Sequence, residues 1–387
     1  MTIPSADETS FEAESRFVQR EVVLLIALAV AALGVFQLTR MVANREHRAT
    51  ARDAAAWYDI GVRQLQQGHV DDAVSSLRHA TTRDRENRTY GTALARALVG
   101  AGRRDDARLA LLDLRESAPE DPQINVELAR LAAGREDMTD AARYYRSALY
   151  GMWDADRSDA RVRLHVEFIR LLLDHHQAAG ALAELLALVP NLPNHAASYV
   201  ETGQLLLSAG DAARAREQFV RALGLEPHNR EALAGAGEAA FASGDYPAAR
   251  AYLRDVADAS PRLSGLRTLS GLVVTSDPLA PRLTLAERQQ RLVAAFAQAV
   301  RRADECRAST VAPSPAAAAR LDATRREADA FAPTLRPTAR RASSDAIETG
   351  TDLVYRLEQT AADACGPPVG LDEALLINGR RHGAPPQ

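Results

Sequence analysis

Few side chains in this 387-residue chain stand at spacings that suit chemistry. Asp174, His175 and His176 are adjacent and offer one carboxylate and two imidazoles, a set able to hold a divalent cation for phosphoester hydrolysis. The triplet closes a helix-forming run, with no second acidic cluster and no strand to present it, so no metal is expected there. Arg96 and Arg130 each carry a planar guanidinium that can grip a carboxylate through two hydrogen bonds. Cys306 and Cys365 are the two cysteines, and both a disulfide and a pair of free buried thiols fit their positions near the ends of predicted helices. Paired-cysteine metal motifs, H-E-x-x-H, G-x-S-x-G and a phosphate-binding glycine loop are all absent. The chain therefore reads as a protein without catalytic residues, metal or cofactor, and not as an enzyme.

The elements that carry these residues are helices. Alanine, leucine and arginine dominate while aromatics make up 5%, and residues that lose little rotamer freedom in a helix favour that state. With 47% apolar and 25% charged residues the chain has the composition of a folded protein. All 47 basic residues are arginine, which reads as a compositional bias and assigns no function. A formal charge of −4 supplies no field to gather phosphates, and part of it lies in the N-terminal tail at Asp7, Glu8, Glu12, Glu14 and Glu21. Nucleic acid is not an expected partner.

Residues 22–39, VVLLIALAVAALGVFQLT, carry no charge and lie between Glu21 and Arg40. At about 1.5 Å per residue they reach about 27 Å, enough for a bilayer core. An uncleaved single-pass anchor fits better than a signal peptide, whose apolar region is shorter and ends in a small-residue cleavage site. Arg40, Arg45, Arg48 and Arg52 follow the segment and favour a cytoplasmic body. The charged 21-residue tail and the placement of both cysteines beyond the anchor favour the opposite, periplasmic side of a bacterial inner membrane, which is the reading taken.

From residue 54 the chain repeats with a period near 34, marked by a small residue followed four later by a large apolar one. Ala73, Ala107 and Ala141 precede Leu77, Leu111 and Tyr145; Ala178, Ala215 and Ala249 precede Leu182, Phe219 and Leu253. Six units result, with extra length assigned to loops at 151–160 and 190–195. Glycines at 68, 102, 210 and 244 mark turns within units, and prolines at 119, 190, 227 and 261 mark unit ends.

Read together, WYDIGVRQLQQGHVDDAVSSLRHA at 57–80 and YVETGQLLLSAGDAARAREQFVRALGLEP at 199–227 resemble the tetratricopeptide repeat family, whose signature joins W-x2-L-G-x2-Y, a glycine turn, A-x3-F-x2-A and a terminal proline. The resemblance covers 54–263; Gln64 and His165 depart from it. It implies a right-handed α-solenoid with a protein or peptide partner held in the groove lined by the first helices, so that the chain reads as all-α with the transmembrane helix ahead of the solenoid. Projected onto that groove are Tyr58, Gln66, Arg96, Arg130, Arg163, Glu167, Arg170, Gln204, Glu238 and Phe241. Its arginine-rich centre suits a partner with an acidic or free C-terminal end; pairing of these arginines with Glu127 or Glu167 is the alternative.

Beyond the repeats, 264–283 reads as a capping helix and linker, and 284–380 as a C-terminal helical hairpin region. Thr284 and Glu287 form a capping box ahead of an amphipathic stretch to residue 308, and a second such stretch runs over 343–364. Residues 381–387 read as a mobile tail. The expected function is a membrane-anchored interaction scaffold in cell-envelope assembly. Two readings stand beside it: a noncatalytic accessory subunit of a membrane enzyme, such as one handling cell-surface polysaccharide, and self-association through the C-terminal helices.

Overall fold

The computed structural model describes residues 8–153, 157–308, 314–335 and 343–382; of residues 8–27, 29 and 30 it describes the backbone alone. All regular elements among the described residues are helical. The chain divides into two compact units, one ending at Leu164 and the other beginning at His165.

The first unit contains α1 (Glu8–Gln66), α2 (Val70–Arg83), α3 (Arg88–Gly100), α4 (Arg104–Ser117), α5 (Pro122–Ala133), α6 (Met138–Leu149) and the start of α7 (Ser158–Asp174). Consecutive helices pack on one another from α1 to α6 as three antiparallel pairs. A separate tail, anchor and first repeat helix were expected, yet α1 runs through all three. No proline interrupts it, and the stretch after Arg40 is rich in alanine and arginine, which extend a helix at little cost. Among the described residues no helix is long and apolar enough to cross a membrane. The expected span at 22–39 includes residues 22–27, 29 and 30, whose side chains lie outside the described residues.

The second unit contains the rest of α7, then α8 (Ala178–Leu188), α9 (Ala196–Ser208), α10 (Ala212–Leu225), α11 (Arg230–Ala242), α12 (Tyr246–Tyr252) and α13 (Pro261–Ser276). Four further helices complete it: α14 (Leu285–Ala308), α15 (Pro315–Phe331), α16 (Ser344–Cys365) and α17 (Leu371–Arg381).

Each repeat is held by one lock. Ala73, Ala107, Ala141, Ala215 and Ala249 are fully buried, and the large residue four positions on, from Leu77 to Leu253, is no more than 2% exposed. A small side chain lets the paired helices approach and the large one fills the space beside it. In the fourth repeat the expected pair Ala178 and Leu182 is displaced: Ala178 is exposed, and Ala181 with Leu185 occupies the lock at 0% exposure. The register is three residues later than expected, so all the extra length precedes this lock and none falls at 190–195. Alanine-rich α8 offers several small residues at helical spacing, which hides the register from sequence alone.

The turns follow the same rhythm. Gly68, Gly102, Gly210 and Gly244 have positive φ, and in the third and fourth repeats Glu136 (φ 60°) and His176 (φ 57°) take that place. Asn87, Asp121, Asp137, Asp211, Asn229 and Asp245 cap the helices that follow them with side-chain oxygens.

After the repeats the expected hairpin is a bundle of three helices. Gly350 on α16 meets Leu292 near the start of α14, and Cys306 and Cys365 meet at their far ends, so α14 and α16 run parallel. Between them α15 returns antiparallel: Phe331 at its end lies 6.1 Å from Phe296, and Arg325 donates to Asp304 at 2.9 Å. Its small buried face, Ala317, Leu321, Thr324 and Ala328, makes it a structural member of the bundle. The capping box is formed, with the Thr284 amide donating to Glu287 at 2.7 Å; these bonds hold the Glu287 carboxyl below its usual range.

Helix α17 joins bundle and cap. Its Asn378 donates to the Val273 carbonyl of α13 at 3.0 Å, and Gly379 lies against the Tyr355 ring of α16. The expected mobile tail begins too early: Arg381 ends α17, and His382 is 3.0 Å from buried Asp277. Residues 383–387 of that tail lie outside the described residues.

Candidate partner-binding surface

The first helices place exposed polar side chains beside the lock, uncharged at Gln66 and Gln204 and charged at Arg96, Arg130, Arg163 and Arg170. On α3 and α5, Arg96 and Arg130 are exposed, as expected. They converge on one carboxylate: Arg96 Nε is 2.7 Å and Arg130 Nη1 3.7 Å from Oε1 of Glu127, which is 8% exposed. Both guanidinium side chains remain about half exposed, at 55% and 49%, beside open solvent.

In the second unit Arg170 on α7 donates to Glu201 on α9 at 2.6 Å, and Arg262 on α13 pairs with Glu238 on α11. The Arg96–Glu127 and Arg170–Glu201 pairs have the same spacing, 31 residues. The helices that carry them thus meet through an ion pair as well as through the apolar lock. Glu201 and Arg262 were not among the expected groove residues. A glutamate three before the outward residue, as at Glu127 and Arg130 or Glu201 and Gln204, is the signal that marks such partners.

The remaining positions separate. Gln66, Arg163 and Gln204 are exposed, and Glu167 is half-buried. Tyr58 is half-buried with its ring 4.9 Å from Tyr90. Burial, with Asp84, Asp59 and Tyr58 nearby, pushes the Tyr90 phenol up from its usual value. Phe241 is taken into packing: its ring meets Tyr246 edge-on at 5.2 Å, in a cluster with Val273 and Ala374. An aromatic near the last repeat helix covers the apolar surface that the cap needs, so it faces α13 and α17.

The other chemistry-bearing residues lie outside this row. His176 is the left-handed turn residue between α7 and α8, and Asp174 and His175 are exposed beside it. His165, a departure from the repeat pattern, is buried with Nε2 3.0 Å from Glu184 Oε2, which satisfies both polar groups. Cys306 and Cys365 form a disulfide with Cα atoms 5.8 Å apart. Nearby, Glu358 is fully buried on α16 and neither carboxylate oxygen accepts a hydrogen bond. Burial, with Asp372 adding to it, pushes this carboxyl up to about 8. Arg302 pulls the other way from 3.5 Å, but it also stands 3.7 Å from Asp372 and donates to the Gly366 carbonyl at 2.9 Å, so burial wins.

No curated protein matches this sequence. Among solved structures it is similar to pilF of Pseudomonas aeruginosa at 17% identity, covering 55% of this chain and 94% of that one with a TM-score of 0.39. It is similar to PilW, described as a widely conserved type IV pilus biogenesis factor, at 16% identity, covering 53% and 92% with a TM-score of 0.37. A third is YrrB, described as a TPR protein with an unusual peptide-binding site, at 16% identity, covering 50% and 95% with a TM-score of 0.34. Residues 92–160 and 200–263 match the sequence model of the tetratricopeptide repeat family, and over these two stretches the chain carries tetratricopeptide repeats.

Proposed function

We propose that this protein is a protein-interaction scaffold, tethered to a bacterial inner membrane through residues 22–39, that holds a protein or peptide partner against the exposed row of its first helices. The observation that carries this reading is the division of labour within each repeat. Alanine and a large apolar residue build the lock at close to zero exposure, while charged positions beside it on the first helices stay open to solvent. An acidic or free C-terminal end of the partner suits Arg96 and Arg130, whose side chains are about half exposed.

The tether is supported by the uncharged run at 22–39 and by its described side chains, since Leu28, Leu33, Val35, Phe36 and Leu38 are 59–65% exposed on α1. A periplasmic body is supported by the Cys306–Cys365 disulfide, a linkage that persists in oxidising compartments. Envelope assembly is the process this layout fits.

The test is site-specific photo-crosslinking in cells, with benzoylphenylalanine placed at Gln66, Gln204 or, as second-helix controls, Leu109 and Val220. Protein adducts should concentrate at the first-helix positions and fall when Arg96→Ala and Arg130→Ala are combined. Equal adducts at all four positions would remove the reading. An alkaline phosphatase fused after residue 387 should be active if the body is periplasmic and silent if it is not.

A further inference from the structure

The first-helix row is not the only surface with chemistry. In the second unit an open groove of about 750 Å³ runs between α12 and α13. One wall is Pro247, Arg250, Ala251 and Arg254; the other is Arg267, Thr268, Gly271, Leu272, Val274 and Thr275. Spacings of three and four residues place the second set on one face of α13, and Arg254 follows α12 in the short 3-10 turn Leu253–Asp255. A Cβ at Gly271 would meet nothing within 4 Å, so the groove floor is open there.

The three arginines set this groove apart. Elsewhere in the repeats of this unit Arg170, Arg214, Arg216 and Arg230 each have a carboxylate partner, as does Arg262 on α13, while among the described residues Arg221 on α10 stands singly without one. Among the described residues Arg250, Arg254 and Arg267 have no ion pair and no side-chain hydrogen bond, and all three are exposed. Of the acids at the end of this segment, Asp258 is held by Arg230 at 3.1 Å and Asp255, next to Arg254, is exposed and does not line the groove. Three like charges lining one cleft concentrate a positive field and favour an anionic occupant.

From this geometry we infer that the α12–α13 groove docks a short acidic segment of a partner protein, with carboxylates on Arg250, Arg254 and Arg267 and an apolar side chain over Leu272 and Val274. The chemistry of both walls favours this occupant. An isolated inorganic anion would use the guanidinium forks and leave the apolar floor in water; a segment alternating carboxylates with an apolar residue satisfies both. The lining of α13 from Arg267 to Thr275 spans about 12 Å at ~1.5 Å per residue, which matches about four residues of extended chain. The site does not depend on the first-helix row and uses none of its residues.

The inference is tested in cells with the full chain carrying benzoylphenylalanine in place of Thr268, followed by sequencing of the crosslinked peptide. The expected product is a protein segment with at least two carboxylates, and combining Arg250→Ala, Arg254→Ala and Arg267→Ala should lower the adduct more than tenfold. Arg96→Ala with Arg130→Ala should leave it unchanged, so failure here and failure of the first-helix reading are told apart. The melting temperature of the triple variant checks that its fold is intact. An adduct to lipid, an adduct to a segment without acids, an adduct insensitive to the arginines, or none at all would overturn the inference.

Discussion

Arg96 on α3 donates to Glu127 on α5 at 2.7 Å, so a groove arginine spends one donor on the neighbouring repeat. Because Glu127 is buried and Arg96 half exposed, the carboxylate depends on the pair more than the guanidinium does. Arg96→Ala, which strips the buried carboxylate of its 2.7 Å partner, should cost about 1 kcal/mol in urea unfolding and Glu127→Ala less than half of that. An equal cost for the two would show that the exposed arginine is held as tightly as the carboxylate.

Turn residues give a prediction of opposite sign. Glu136 and His176 hold a left-handed backbone that costs a side chain about 1 kcal/mol and glycine almost nothing. His176→Gly and Glu136→Gly should each stabilise the protein by about that amount, read as a rise in denaturation midpoint at constant slope. A loss of stability from His176→Gly would mean that the imidazole has work beyond the turn.

The repeat lock can be overfilled. A Cβ at Gly203 would stand 2.8 Å from the Phe219 ring. Gly203→Ala should cost roughly 1–3 kcal/mol, and Phe219→Leu should make the same change cheaper. Additive costs in the double-mutant cycle would show that the two sites do not touch.

Glu358 makes the C-terminal bundle sensitive to pH. Its carboxyl titrates at 4.5 when unperturbed and at about 8 in the fold, so the folded chain holds the proton more tightly. The stability this contributes is fully present below the unfolded value and is lost as pH rises through about 8. Melting temperatures should fall across that window, and Glu358→Gln should flatten the profile and stabilise the protein by a few kcal/mol, roughly, at its alkaline end. A wild-type profile that rises over the same window would reverse the assignment.

The disulfide staples α14 to α16 across a separation of 59 residues. Limiting the unfolded chain over such a loop is worth up to about 4 kcal/mol. Cys306→Ser with Cys365→Ser should lower the melting temperature, and reductant should affect the wild type alone. A reductant effect on the double variant would place its origin elsewhere.

What the residues determined by themselves is the repeat. Small-to-large spacing from Ala73 to Leu253, the turn glycines and the Thr284–Glu287 box are legible because each acts within one helix pair or one turn, at a separation that the chain itself sets. Tertiary structure decided everything that depends on which of several equivalent positions is used. In α8, Ala178 and Ala181 are the same residue type, and packing alone selects Ala181. The outward arginines were legible as a row, but their partner carboxylates lie about 30 residues away on other helices. Phe241 is called into the cap, and Arg381 with His382 onto Asp277, by surfaces that exist only once α13 and α17 have docked. Local periodicity reports what each helix must bury; which neighbour it is buried against is a property of three-dimensional packing, where distance along the chain no longer ranks the contacts.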